Sequence, residues 1–193
     1  MEIKYITKGP LIYLQVIDVF NKEDEQKIIE ELNEYYSERL YGKDIGAASD
    51  EKGNLLRYNG SGVNLSEDKY FDKSFTMKKM LEVIGSKAWS EIHKVHCSFS
   101  ILSSGIHELR SIATYTENEG GYKAHKDYSN LTAIYYNKKG SFTGGELVFT
   151  DYDEKIIPEP NSMVIFSGAI QHEVLPVKCN EGDYRISINN FIL

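Results

Sequence analysis

The hydrophobic rhythm of the chain changes near residue 106. Upstream, "LIYLQVIDVF" at 11–20 is dense in β-branched and aromatic residues and predicts a strand. "NKEDEQKIIEELNEYYSERL" then predicts a helix. Asn21 suits its N-cap, Glu23 and Asp24 oppose the positive end of the helix dipole, and Ile28, Ile29, Leu32 and Tyr35 or Tyr36 recur as an apolar stripe. A second helix is predicted from about Ser74 to Val95, with Phe75, Met80, Leu81, Ile84, Trp89 and Ile92 as its core positions. Residues 41–73, between the two, are rich in Gly, Ser, Asn and Asp and hold no steady period. So long an irregular stretch points to a lid or binding loop. A short hairpin is expected at "NLLRYNG", with Arg57 and Tyr58 as substrate-reading residues.

Beyond residue 106 the apolar runs shorten and turn residues separate them. "IHELRSIATY", "GYKAHKD", "LTAIYYN", "GELVFTD", "EKIIP", "SMVIFSG", "HEVLPV" and "YRISINNFIL" each read as a strand, with "NKKG", "TGG", "PEPN" and "NEGD" between them. Many short strands with frequent turns predict a sandwich or jelly roll. The chain therefore reads as one α+β domain over 1–193, in which an N-terminal strand, helices and flap loop (1–105) buttress a jelly-roll core (106–193). Gly144 and Gly145 read as a turn without a chemical role.

Composition narrows the partners. The 193 residues are 41% hydrophobic and 26% charged, as in an ordinary globular domain. A net charge of −7 without a basic cluster argues against a nucleic-acid partner. No apolar run reaches the ~18 residues of a membrane span, and "MEIKYITKGP" lacks the apolar core of a signal peptide. Cys97 and Cys179, far apart, read as reduced thiols, so a cytoplasmic location is expected. Nothing in the pattern fixes an oligomeric state.

Chemistry enters with "GGYKAHKDYS", where His125 and Asp127 stand two residues apart and would share a strand face. His172 follows the predicted strand "SMVIFSG". Two imidazoles and a carboxylate are the facial triad of non-haem Fe(II) oxygenases, although zinc accepts the same three ligands. His93, His96 and His107 lack such a setting and read as surface or packing residues. On the last strand Arg185 and Ser187 share one face, while Tyr184, Ile186 and Ile188 form the apolar other. An inward arginine needs an anion, and its fork matches a carboxylate bidentately. A small dicarboxylate could chelate a metal at one end and reach Arg185 with the other.

These motifs, taken in order, resemble the Fe(II)/2-oxoglutarate-dependent dioxygenases, in particular the prolyl 4-hydroxylase-like branch and its oxygen-sensing prolyl hydroxylases. "YTENEGGYKAHKDYS", "LTAIYYN", "GGELVFTD", "HEVLPV" and "GDYRIS" look like that catalytic core, and "LIYLQVIDVFNKEDEQKIIEEL" looks like its opening strand and helix. The resemblance implies a double-stranded β-helix, cupin-like, using Fe(II), 2-oxoglutarate and O2, with ascorbate as a candidate reductant. By position it makes His125, Asp127 and His172 the iron ligands. Arg185 would grip the distal carboxylate of 2-oxoglutarate with help from Ser187 and Tyr136, Tyr115 would line the cosubstrate pocket, and Tyr122 would stand at its mouth. The implied reaction couples decarboxylation of 2-oxoglutarate to hydroxylation of an unactivated C–H bond, in a peptidyl residue such as proline. A free amino acid or other small molecule is the alternative substrate, with nucleic-acid demethylation behind it. Two further readings are an oxygenase independent of 2-oxoglutarate and a non-catalytic jelly-roll binding module. The chain departs from the oxygen-sensing enzymes in a short link after Asp127, a compact link before His172, and "INNFIL" without their tryptophan.

Overall fold

The computed structural model describes residues 1–86, 89, 92–103 and 108–193. The chain opens with a hairpin, β1 (Glu2–Lys8) and β2 (Leu11–Ile17). Helix α1 (Lys22–Tyr35) starts where the Asn21 side chain accepts the Asp24 amide, and buries Ile28 and Leu32. After β3 (Leu40–Tyr41) come β4 (Arg57–Asn64), the short α2 (Asp68–Phe71) and α3 (Phe75–Ile84). The Ser74 hydroxyl accepts the Met77 amide and caps α3, whose buried positions Met77, Met80 and Ile84 recur at helical spacing. The rest is strand: β5 (Leu109–His125), β6 (Leu131–Lys139), β7 (Phe142–Gly144), β8 (Leu147–Phe149), β9 (Glu154–Ile156), β10 (Ser162–Ser167), β11 (His172–Val174), β12 (Val177–Cys179) and β13 (Tyr184–Ile192).

The main sheet runs β1-β2-β10-β6-β13-β5-β11-β8-β9, with β4 also paired to β5, and β7 and β12 form a separate ribbon. Every pairing is antiparallel. The sheet curls until its ends meet. Leu11 and Tyr13 of β2 share a buried cluster with Leu147 and Phe149 of β8 and Ile156 of β9, although these strands lie far apart in the sheet order. The Tyr13 and Phe149 rings are 5.4 Å apart, and Tyr13 Oη donates to Glu154 at 2.9 Å, where Lys8 also pairs. The convex face carries the second cluster: Leu14, Val16, Ala133, Tyr135, Ile165, Ile186 and Ile188 pack under α1 and α3. Strand alternation divides the residues between the two faces. The result is a curled antiparallel sheet with helices on its outside, the jelly-roll architecture expected from the strand pattern. Among the described residues, no helix is long and apolar enough to cross a membrane.

Four expectations need correction. The residues before 106 do more than buttress the core, because β2 and β4 pair with β10 and β5 inside the main sheet. The 41–73 stretch is not a free lid: Arg57–Asn64 is a paired strand, and the hairpin lies just before it, where Ser49 bridges Leu55. Leu11–Ile17 stops short of Phe20, because Asp18 takes a positive φ of 52° and turns the chain into α1. α3 stops at Ile84, where Gly85 caps it, well before Val95. Part of that predicted helix, at 87, 88, 90 and 91, lies outside the described residues, as do His107 and the start of "IHELRSIATY".

Candidate functional site

The site lies on the concave face, where β5 ends and β11 begins. His172 is paired directly with His125 across these strands, and their ring centroids are 4.4 Å apart. Asp127 follows the end of β5, held by its amide donating to the Gly168 carbonyl at 2.9 Å. Its two carboxylate oxygens lie 3.7 Å from His125 Nε2 and 3.5 Å from His172 Nε2. The three ligand atoms fall within 4.8 Å of one another, a spacing that a single metal ion could bridge. His125 and Asp127 thus converge through a turn and not as two residues of one strand.

Both imidazoles are set for ligation. His125 Nδ1 meets the Lys123 carbonyl at 2.8 Å, and His172 Nδ1 meets the Ile170 carbonyl at 2.9 Å. A carbonyl only accepts, so each Nδ1 carries the proton and each Nε2 lone pair faces the carboxylate. Burial, then the neighbouring His172, lower the His125 pKa to about 3, so its ring is neutral at ordinary pH. Thr132 Oγ1 donates to Asp127 Oδ2 at 2.6 Å and fixes the carboxylate's orientation.

Deeper in the same cleft stands Arg185. It is buried, donates Nη1 to the Gly145 carbonyl at 2.7 Å and Nη2 to Thr116 Oγ1 at 3.3 Å, and leaves Nε without a partner. Desolvation holds its pKa down to about 10. The ring of Tyr136 lies 5.8 Å from the guanidinium, and its buried hydroxyl also has no partner. Ser187, next to Tyr136 across β6 and β13, bonds Thr114 Oγ1 at 2.7 Å. Buried polar groups are nearly always paired, so the orphaned Arg185 Nε in the cleft marks a place for a polar ligand, and the orphaned Tyr136 hydroxyl lies behind the cleft lining, with its ring 5.8 Å from the guanidinium. The cleft holds about 420 Å³ of unfilled space, part of it open to solvent, and is lined by His125, Asp127, His172, Arg185 and Ser187 among others. A carboxylate facing Arg185 and Tyr136, with a metal at the three ligands, fits this donor set.

The other predicted residues divide. Tyr122 lines the mouth, stacked on His125 at 3.7 Å, with its hydroxyl accepting the Ala48 amide at 2.8 Å. Arg57 lies over the Tyr122 ring at 4.4 Å and lines the cleft, whereas Tyr58 lies against Gly121 and lines no part of it. Tyr115 is a correction. It is buried on the convex side, donates to the Leu32 carbonyl at 2.6 Å, and packs against Tyr36 and Tyr184. The cause is a bulge: Val174 and His172 pair with Tyr122 and His125, so β5 spends three positions where β11 spends two. A second irregularity lies between Thr116 and Gly121, opposite Gly60 and Tyr58, so alternation does not run unbroken from Tyr115 to His125 and the two residues face opposite ways. Gly145 is the second correction, since its carbonyl holds Arg185. Gly144 and Gly145, at φ of 73° and 72°, take the left-handed turn that aims it. Sequence reasoning missed Thr116, Thr114 and Thr132; the first two stand opposite Arg185 and Ser187 across β5 and β13, a register that no local pattern records.

Residues 111–193 match the family model of the 2OG-Fe(II) oxygenase superfamily. No curated protein sequence matches the chain. Among solved structures, a prolyl-4-hydroxylase from Pseudomonas putida is similar at TM-score 0.61 and 16% identity, over 95% of this chain and 93% of that one. A Trichoplax adhaerens prolyl hydroxylase, in complex with a hypoxia inducible factor oxygen degradation domain peptide, aligns at 0.63 and 14%, over 93% and 83%. A viral collagen prolyl hydroxylase from Paramecium Bursaria Chlorella virus-1 aligns at 0.56 and 13%, over 94% and 96%. At these identities the likeness is one of fold, a double-stranded β-helix. Over residues 111–193 the chain is similar to the 2OG-Fe(II) oxygenase superfamily, whose name states the metal and the cosubstrate its members use.

Proposed function

We propose that the protein is a 2-oxoglutarate-dependent hydroxylase acting on an unactivated C–H bond of a peptidyl residue, with proline as the first candidate. The observation that carries this reading is a single cleft lined by His125, Asp127 and His172 and by the buried Arg185, whose Nε is unpartnered, with the unpartnered hydroxyl of Tyr136 on a ring 5.8 Å from that guanidinium. His125, Asp127 and His172 would hold Fe(II) on one face, leaving its other positions for 2-oxoglutarate and O2. The metal with its cosubstrate supplies the oxidising power, coupling decarboxylation to hydroxylation. Arg185 binds the distal carboxylate of 2-oxoglutarate as a fork, Tyr136 donates to the same group, and Gly145 and Thr116 keep the guanidinium aimed. Phe166, 4.8 Å from the His172 ring, and Ile134 keep water from the metal side. The peptide substrate is supported by a shared fold with a neighbour bound to a peptide.

The test is turnover. Protein incubated with Fe(II), 2-oxoglutarate, ascorbate and a proline-containing peptide library should release succinate and leave peptides heavier by one oxygen atom. His125→Ala should abolish both. Succinate formed with small amino acids and with no peptide would move the assignment to a small-molecule hydroxylase.

A further inference from the structure

Beside the inner cleft lies a second cavity with about 730 Å³ of unfilled space, part of it open to solvent, and Arg57, Tyr122, His125 and Asp127 line both. Arg110 and Lys126 line only this outer one, at its rim. We propose that the outer cavity admits the substrate, and that Arg57, supported by Arg110 and Lys126, selects one bearing a carboxylate close to the carbon to be hydroxylated. This rests on the function proposed above.

Three observations lead there. The chain carries a net charge of −7, yet three cations gather at this opening. Among the described residues Arg57, Arg110 and Lys126 form no ion pair with a side chain, and of the three Arg57 alone also lines the inner cleft. Second, Arg57 is poised and incompletely used. The Tyr122 ring lies 4.4 Å from its guanidinium, while its buried Nε has no hydrogen-bond partner. Asp127 is the carboxylate that acts on this buried guanidinium, and it is already committed to the metal ligands, so a further anion would be needed to offset the lost water. Third, the charges of the inner cleft leave this one over. The two charges of Fe(II) and the one of Arg185 balance Asp127 and both carboxylates of 2-oxoglutarate. Arg57 is then a surplus positive charge between that neutral assembly and the opening. The cosubstrate's carboxylates are already assigned, one to the metal and one to Arg185, so the anion that meets Arg57 comes with the substrate. Arg57 positions and selects, and takes no part in the chemical step.

The probes are a capped peptide with glutamate on both sides of proline, its alanine and lysine counterparts, and N-acetylglutamate. Each is added anaerobically to protein loaded with Fe(II) and 2-oxoglutarate, and binding is read from the perturbed visible absorption of the chelate. The glutamate peptide should bind at least about tenfold more tightly than the alanine one, as one charge-assisted hydrogen bond would give, and the lysine peptide least. Arg57→Gln should abolish that preference while weakening 2-oxoglutarate far less than it weakens the glutamate peptide, and Arg57→Lys should keep part of it. Binding of N-acetylglutamate as tight as that of the peptide would place the carboxylate on a free acid, and weaker binding would place it on a peptide. Equal binding of the three peptides, or no binding of either acidic probe, would overturn the proposal. So would an Arg57→Gln variant that weakens all three alike, or weakens 2-oxoglutarate as much as the peptide. Failure of the wild type to form the chelate is seen before any probe is added, and would remove the hydroxylase reading itself.

Discussion

Arg185 does several things that its position in "GDYRIS" foretells only in part. Alternation along β13 puts it on the concave face with Ser187, and burial removes its water. Its two Nη atoms are then held by Gly145 and Thr116, groups remote in sequence. Arg185→Gln should raise the dissociation constant for 2-oxoglutarate by about 30-fold, the loss of roughly 2 kcal/mol in a charge-assisted pair. Iron affinity, measured alone by competition with a chelator, should hardly change. Thr132→Val makes the opposite split. It removes the donor that orients Asp127, so iron affinity should fall about tenfold or more, as for other partners of metal ligands, while 2-oxoglutarate affinity follows only through the metal. If both constants move together in both variants, the division of the cleft into a metal end and a carboxylate end is wrong. At this scale residue types at short spacings were readable. The irregularities of β5 between Tyr115 and His125 were not, because extra residues in a strand leave no mark in hydrophobic alternation, and nothing local corrected the place that resemblance gave Tyr115.

At the scale of elements, local capping signals were the most legible. Asn21 and Ser74 both cap as their residue types predict. The joint between the two helices was hidden, because it depends on Glu31 of α1, which accepts from the Ser74 hydroxyl and from the Phe75 and Thr76 amides at 3.0, 2.8 and 2.7 Å. A carboxylate at the positive end of α3 satisfies amides that would otherwise lack partners. Glu31→Ala should lower unfolding free energy by about 2 kcal/mol. Chemical denaturation followed through the fully buried Trp89, the chain's one tryptophan, would measure it. Gly121 joins fold to site. A Cβ there would come within 2.6 Å of Tyr58 Oη and 2.7 Å of the Val174 carbonyl. The second contact is backbone and cannot rotate away. Gly121→Ala should therefore displace β11 and with it His172, lowering both thermal stability and iron affinity. Loss of stability with iron affinity intact would show that β11 absorbs the strain elsewhere.

Across the whole molecule, the segmented strand pattern after residue 106 was enough to predict the jelly roll. The contribution of the N-terminus was less legible. Partnership between β2 and β10 is a contact across some 150 residues, recorded nowhere in local period. β2 buries Leu11, Leu14 and Val16 almost completely, whereas β1 is mostly exposed. Deleting residues 2–8 should therefore leave a cooperative, iron-binding protein. Deleting 1–17 should bare the edge of β10 and open both hydrophobic clusters, giving aggregation or loss of cooperative unfolding. Similar behaviour of the two truncations would mean that β2 does not close the curled sheet as its contacts indicate.

The central claim is that one cleft holds iron at His125, Asp127 and His172 and 2-oxoglutarate at Arg185. The most direct measurement is an anaerobic titration of the protein with Fe(II) and then 2-oxoglutarate, following the visible charge-transfer band of the chelate, with His125→Ala and Arg185→Gln alongside. A band in the wild type that is absent in His125→Ala, and that needs far more 2-oxoglutarate in Arg185→Gln, is the predicted result. Tight iron binding with no band at any concentration of 2-oxoglutarate would contradict the account and leave a metal site serving another chemistry.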